Sequence, residues 1–352
     1  SELRLAFMYN TLFGGTFAVI YCAITTLALY LRKKNEPEYT PFYMLGMVIT
    51  AEMVIPPAFQ YSIMKAGEDI LSFSSNFVDY ARRFQEEFVH PAEIARQKIR
   101  KNDKDGIFMA SLFYISLTNC GLMGVIVLLN PKIPFVPGCH FEFHHWALQW
   151  AFQVYQAYWV TNHLLAWLSN LFIYAFQGIE YSFGILYMLR EMKLERNRYT
   201  TFEKLRTPDV FIRNYRMLEI LHAKAMSMYS GTVLPVHQWC SLTTATYCIY
   251  CSLKMKGIIA VVSMVGAFIT LYWLFVAFTI FATIHSESKA VLNSWTIQKH
   301  DLGLQKTLKT LRPIKIHVGD YSFCDHSMVV TMFKSICEGT VDLLIVKVVA
   351  RT

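Results

Sequence analysis

Charge is scarce in this sequence: 16% of its 352 residues are Asp, Glu, Lys or Arg, against 54% hydrophobic and 15% aromatic. A water-facing surface needs a charged fraction nearer a quarter, so the pair of soluble domains that this length would ordinarily suggest is excluded. A disulfide framework, a collagen-like repeat and a low-hydropathy tract that would stay disordered are absent as well. So is any long polar stretch, because even the longest, Glu68 to Gly106, is patterned with apolar residues. What is left is a single all-α membrane domain of mean hydropathy +0.32, whose connections carry helices into water.

Catalytic signatures are equally scarce. No Gly-rich phosphate loop, G-x-S-x-G turn or Ser-His-Asp arrangement can be placed. The eight cysteines, Cys22, Cys120, Cys139, Cys240, Cys248, Cys251, Cys324 and Cys337, show no C-x-x-C in a basic pocket and no metal pattern, and most read as small core residues. Cys139 and Cys251 fall near the expected outer face, where a disulfide is redox-permitted. The densest cluster, Cys139-His140-Phe141-Glu142-Phe143-His144-His145, invites zinc and resembles one histidine box of membrane di-iron desaturases. His163, His222, His237 and His285 supply no second close-spaced pair. The cluster therefore reads as a polar outer-loop turn, and neither an enzyme nor a metal or other cofactor is expected.

Long apolar runs, by contrast, are plentiful. A span needs about 20 predominantly apolar residues, and seven stretches qualify: roughly 5–31, 41–65, 107–130, 147–172, 230–253, 257–284 and 327–349. The fourth is overlong, since apolar and aromatic residues continue from Trp146 to Leu189; its second half must lie in water or against protein. The seventh is interrupted by Lys334, Glu338, Asp342 and Lys347. Lysine and arginine set orientation: 24 fall on the side of the N-terminus and 8 on the other. The expectation is an N-terminus inside and a C-terminus outside. That is the reverse of a G-protein-coupled receptor, and neither an Asp-Arg-Tyr closing the third span nor an Asn-Pro-x-x-Tyr in the seventh is present. The net charge of +8 belongs mostly to cytoplasmic loops beside anionic lipid and needs no nucleic-acid partner. Because the chain opens at Ser1, the natural N-terminus is expected upstream; a cleaved signal peptide is not, since the first apolar run is span-length. No inverted repeat of the kind that builds many transporters is visible.

Inside the spans, Glu52 precedes Pro56-Pro57, and an intramembrane carboxylate is a functional candidate by default. Aromatic residues crowd the expected outer halves of spans two to six, where they serve either as an interfacial belt or as walls of a small-molecule pocket. In the last span, Glu338 and Asp342 are four residues apart on one helical face that cannot point at lipid. Around a symmetry axis such a face would form carboxylate rings that favour cations; the alternative is pairing with Lys334 and Lys347 in a helix partly outside the membrane.

These features resemble the arthropod gustatory and odorant receptor superfamily, on its gustatory side. The seven-span plan with an inside N-terminus and long cytoplasmic helix extensions is similar across nearly the whole chain. Leu311-Arg312-Pro313-Ile314, then Gly319 and Phe323, leads into the last span as in that family. Thr340 begins a degenerate copy of its ending, Thr-Tyr, five hydrophobics, Gln-Phe: Val341 stands at the Tyr position, Asp342 interrupts the apolar run, and Lys347 and Val348 stand at Gln and Phe. The resemblance implies a homotetramer, or a heterotetramer with a related receptor subunit, around one central pore opened by a small-molecule tastant or odorant. It implies an intersubunit anchor over 180–225 and 285–323 and a pore-lining last helix, 327–349, with Thr340, Leu344, Lys347 and Val348 near the pore beside Glu338 and Asp342. A ring of Lys347 would oppose cations unless Asp342 neutralises it or the lysine snorkels outward. It further implies a ligand pocket in the outer half among spans two, three, four and six; side-chain type and depth select Tyr43, Met47, Glu52, Asn119, Met123, Tyr155, Trp159, Phe268 and Tyr272.

Overall fold

Helix is the form an apolar chain takes where lipid leaves backbone groups no water to bond, and α-helix occupies 86% of the described residues. The computed structural model describes residues 2–32, 40–99, 145–298, 302–320 and 322–349, with Tyr114, Leu117, Val125 and Leu128 between them. The elements are α1 (Glu2–Arg32), α2 (Thr40–Met53), α3 (Ile55–Phe88), α4 (Pro91–Ile99), α5 (Trp146–Met192), α6 (Pro208–Tyr229), α7 (Val233–Lys254), α8 (Ile258–Thr296), α9 (Leu302–Thr310) and α10 (His326–Val349). A two-residue antiparallel hairpin, β1 (His317–Val318) and β2 (Ser322–Phe323), precedes α10. The expected span over 107–130 lies outside the described residues except for the four named above.

Three helical stretches, Leu12–Arg32, Phe42–Phe88 and Ser263–Thr296, are long and apolar enough to cross a membrane. The second is α2 and α3 read through a break at Val54, where Pro56 and Pro57 begin a new first turn whose missing N–H groups cost nothing. A second irregularity, at Ala66 (φ −127°, ψ 20°), falls where the apolar run of the sequence ends.

Exposure inverts along single helices. In the first half of α8, Val261, Met264, Val265, Phe268, Ile269, Tyr272 and Phe275 are exposed; in the second half, Phe278, Ala282, Ile284, Val291, Leu292 and Trp295 are buried. Helix α5 repeats the pattern: Trp146, Leu148, Trp150, Val154, Tyr155 and Tyr158 are exposed, whereas Tyr181, Ile185, Leu186, Met188, Leu189 and Met192 are buried. Leaving seven large apolar side chains of α8 in water would cost on the order of 10–20 kcal/mol, as much as a whole domain's stability. Lipid around the exposed halves and water around the buried ones would account for the inversion, which in α8 falls between Phe275 and Phe278.

Helix α7 is the hub, touching α2, α3, α6, α8 and α10. At its far end a small cluster joins Met44 of α2 with Tyr250 and Cys251 of α7, and Leu343 and Leu344 of α10 pack against it. The other end holds the main core, built from α3, α5, α6, α8 and the segment entering α10. Among the described residues, the loop 193–207 is organised by the buried carboxylate of Glu191. One oxygen accepts from the backbone N–H of Thr200 (2.9 Å) and of Thr201 (3.2 Å) and from the Thr201 hydroxyl (2.9 Å), while the other takes the Arg196 guanidinium at 3.2 Å. Phe202 N–H donates to the Phe88 carbonyl at 2.8 Å, tying that loop to the end of α3.

Candidate functional site

The last helix has two unlike faces. Val329, Met332, Ile336 and Thr340 recur at three- and four-residue spacing, are buried, and pack toward α7 and α8. Gly339 sits at this contact, where a Cβ would come within 3.3 Å of Thr246 Cγ2, so a side chain there would hold the two helices apart. On the opposite face Thr331, Lys334, Ser335, Glu338 and Asp342 are all exposed. Lys334 Nζ lies 3.6 Å from Glu338 Oε1, with both side chains more than half exposed. Asp325 caps the helix, its Oδ1 accepting from Met328 N–H (2.8 Å) and the Ser327 hydroxyl (2.7 Å), which hold this carboxyl below the usual carboxylate range.

The chain enters α10 through Leu311–Ile316, an extended segment most of whose backbone groups cannot pair within a helix. Side chains of α6 and α8 supply partners. Arg312 N–H donates to Glu219 Oε1 (2.8 Å), Ile314 N–H to Ser288 Oγ (2.7 Å), His285 Nδ1 to the Ile314 carbonyl (3.2 Å) and His222 Nε2 to the Lys315 carbonyl (2.7 Å). Tyr215 Oη reaches the Arg312 carbonyl at 2.9 Å and Ser288 Oγ at 2.8 Å. A carbonyl only accepts, so Tyr215 donates to Arg312, and Ser288 donates to Tyr215 while accepting from Ile314. The same logic places the proton of His222 on Nε2, which leaves Nδ1 to accept the Tyr181 O–H at 2.6 Å. Burial lowers the pKa of His222 to about 4 and pushes the Cys324 thiol up to about 12, so both are neutral at neutral pH. Gly319, in the hairpin turn at φ +66°, donates its N–H to the Ser230 carbonyl at 2.8 Å and pins the hairpin to the corner between α6 and α7.

The nine residues singled out for a ligand pocket fall in several places. Tyr43 and Met47 line one groove, between α2 and the Ala23, Thr26, Leu27 and Tyr30 side of α1. Glu52 Oε1 accepts the Thr244 hydroxyl at 2.7 Å, joining α2 to α7. Tyr155, Phe268 and Tyr272 are exposed on α5 and α8, and Trp159 is half-buried on α5. Asn119 and Met123 lie outside the described residues. Of the pore candidates, Glu338 and Asp342 are on the exposed stripe, Thr340 is buried with its hydroxyl on the Ile336 carbonyl (2.8 Å), and Leu344 packs beside Met44, Tyr250 and Cys251. Lys347 and Val348 belong to the helix, but their side chains lie outside the described residues. His140, Glu142 and His144 lie outside them too; among the described residues no three His, Cys, Asp or Glu side chains gather as metal ligands.

Tyr215, Glu219, His222, His285 and Ser288 did not stand out in the sequence. Their signal is present, because Tyr215, Glu219 and His222 repeat at four and three residues on the α6 face that also buries Leu218 and Leu221. The chain matches no protein-family model, and no curated protein matches it.

Proposed function

We propose that this chain is a subunit of a ligand-gated, poorly selective cation channel, opened by a small-molecule tastant or odorant in the plasma membrane of a sensory cell. In this reading it has seven spans with the N-terminus cytoplasmic and the C-terminus outside, and four copies, all identical or mixed with a related subunit, surround one pore. The observation that carries the reading is the exposed stripe Thr331, Lys334, Ser335, Glu338 and Asp342, opposite the buried face of an otherwise apolar helix. Each ionised group facing hydrocarbon costs about 3 kcal/mol on insertion scales, so three on one face would cost on the order of 9 kcal/mol. A water-filled path shared with other copies removes that cost, and its carboxylates draw cations.

Gating needs a link from ligand to stripe. The side-chain clamp on Leu311–Ile316 supplies one, because any relative movement of α6 and α8 is passed to the segment from which α10 starts. A ligand must bind the open arrangement about 10⁴-fold better to swing the gate from mostly closed to mostly open.

The test is whole-cell recording from cells expressing the full-length chain, with surface protein verified, against sugars, bitter compounds and volatiles. A ligand-evoked cation current whose conductance drops severalfold in Glu338→Gln and Asp342→Asn is expected. An evoked current indifferent to both substitutions would move the pore away from α10; saturable substrate flux without current would replace the channel by a transporter.

A further inference from the structure

A cavity of about 100 Å³ lies where α3, α5, α6, α7 and α8 converge, walled by Phe59, Tyr229, Leu234, Trp273, Phe281 and Ile316. Several polar groups of its wall are turned to protein partners. Trp273 Nε1 donates to His237 Nε2 at 2.6 Å, Tyr181 donates to His222, and the Ser182 hydroxyl bonds to the Gly178 carbonyl at 2.6 Å. A water needs two to four polar partners, so a partly open cavity with so apolar a wall suits apolar guests better than water; an enclosed engineered cavity of about 150 Å³ takes benzene or xenon.

Two glycines of α5 show how closely the neighbouring helices pack on it. At Gly184 a Cβ would strike the Phe77 ring at 2.7 Å, which marks close packing of α3 on α5. At Gly178, in the cavity wall, a Cβ would meet no atom of the described residues within 4 Å. Gly178 therefore leaves room for a side chain at the cavity wall, which is what a filling substitution there would use.

Its position gives it leverage. Trp273 and Phe281 bracket the level at which α8 passes from exposed to buried apolar residues, so an apolar molecule dissolved in the bilayer arrives at the right depth. Tyr229 and Leu234 flank the corner between α6 and α7, and Ile316 belongs to the clamped segment that feeds α10. We propose that this cavity is a second ligand site, for a small apolar molecule of about one ring, distinct from any pocket among the aromatic residues at the opposite end of the helices. Occupancy would brace the corner and the clamped segment together. The proposal stands on packing alone and does not depend on the channel reading.

The test uses the full chain in lipid nanodiscs, titrated with bromobenzene while tryptophan fluorescence is followed, since a bromine in contact quenches an indole. Wild type is expected to show a saturable quench on top of the linear one that comes from probe dissolved in lipid. The saturable part disappears in Trp273→Phe, weakens at least tenfold in Gly178→Leu, and persists in Gly14→Leu, a remote glycine with equally open surroundings. If Gly178→Leu does not fold, Ala277→Leu narrows the same cavity from α8. A strictly linear quench in wild type, or a saturable part unchanged in both filled variants, overturns the proposal.

Discussion

Ser288 is fully buried and yet makes two hydrogen bonds outside its own helix, accepting from Ile314 N–H and donating to Tyr215. Tyr215 passes the chain on to the Arg312 carbonyl, so removing either hydroxyl strands groups that have no water to turn to. Tyr215→Phe and Ser288→Ala are each expected to destabilise the protein by ~2 kcal/mol, and the double variant by clearly less than their sum, because both break one chain. Thermal unfolding of the purified protein in one detergent reads the cycle; strict additivity would mean the two hydroxyls act separately. His222 adds a pH dependence. Its folded pKa, about 4, lies below the ordinary 6.5, so the unfolded chain takes up the proton first as pH falls. Its stabilising share is complete above pH about 6.5 and is lost progressively down to pH about 4, on the order of 3 kcal/mol in all. In His222→Gln, whose amide can still donate to Lys315, that part of the acid sensitivity should vanish. Equal loss of melting temperature between pH 7.5 and 4.5 in both proteins would assign the sensitivity to other groups.

The hairpin and the cap of α10 set how that helix begins. Gly319→Ala places a side chain at φ +66° and is expected to cost ~1 kcal/mol, and Asp325→Ala, which removes the cap, about the same. They act on one element start, so both should also raise hydrogen exchange at Met328 and Val329 while leaving the second half of α8 unchanged; protection lost equally in both places would make the effect global. Sequence reading reached this element through Leu311–Ile314, Gly319 and Phe323, but not through its partners on α6 and α8, which lie some 26 to 97 residues away in the chain. Hydrogen bonds at that separation leave no local periodicity to read. Helix α5 was legible as overlong because run length survives in any environment, and it continues unbroken for 47 residues. Which of its aromatic residues face inward was not legible, because in lipid both faces of a helix are apolar and the 3.6-residue alternation that separates core from surface is lost. Tyr155 on α5, like Phe268 and Tyr272 on α8, is exposed for that reason: its residue type suits a pocket wall and a lipid-facing surface alike.

At the scale of the molecule, if α10 spans the membrane beside α8 as proposed, the exposed surface of that half is of two kinds that need different neighbours. Phe268 and Ile269 of α8 are satisfied by acyl chains, whereas Lys334, Glu338 and Asp342 of α10 need water or another protein chain. A lone subunit in lipid supplies only the first, which is why the stripe argues for assembly around α10 and not merely for a polar helix. The proximity of copies at the stripe can be read directly. In a Cys337→Ser background, which removes the exposed thiol beside the stripe, Glu338→Cys should give covalent dimers with a short bismaleimide in native membranes, and Ile269→Cys should not. If the proposed pore brings water to the stripe, charged thiol reagents should modify Glu338→Cys in the same membranes. Cross-linking through Ile269→Cys alone would place α8 at the interface and leave the stripe elsewhere. Dimers through Glu338→Cys without reaction toward the charged reagent would mean that the stripe pairs dry against a partner copy, and then α10 would hold the subunits together without conducting.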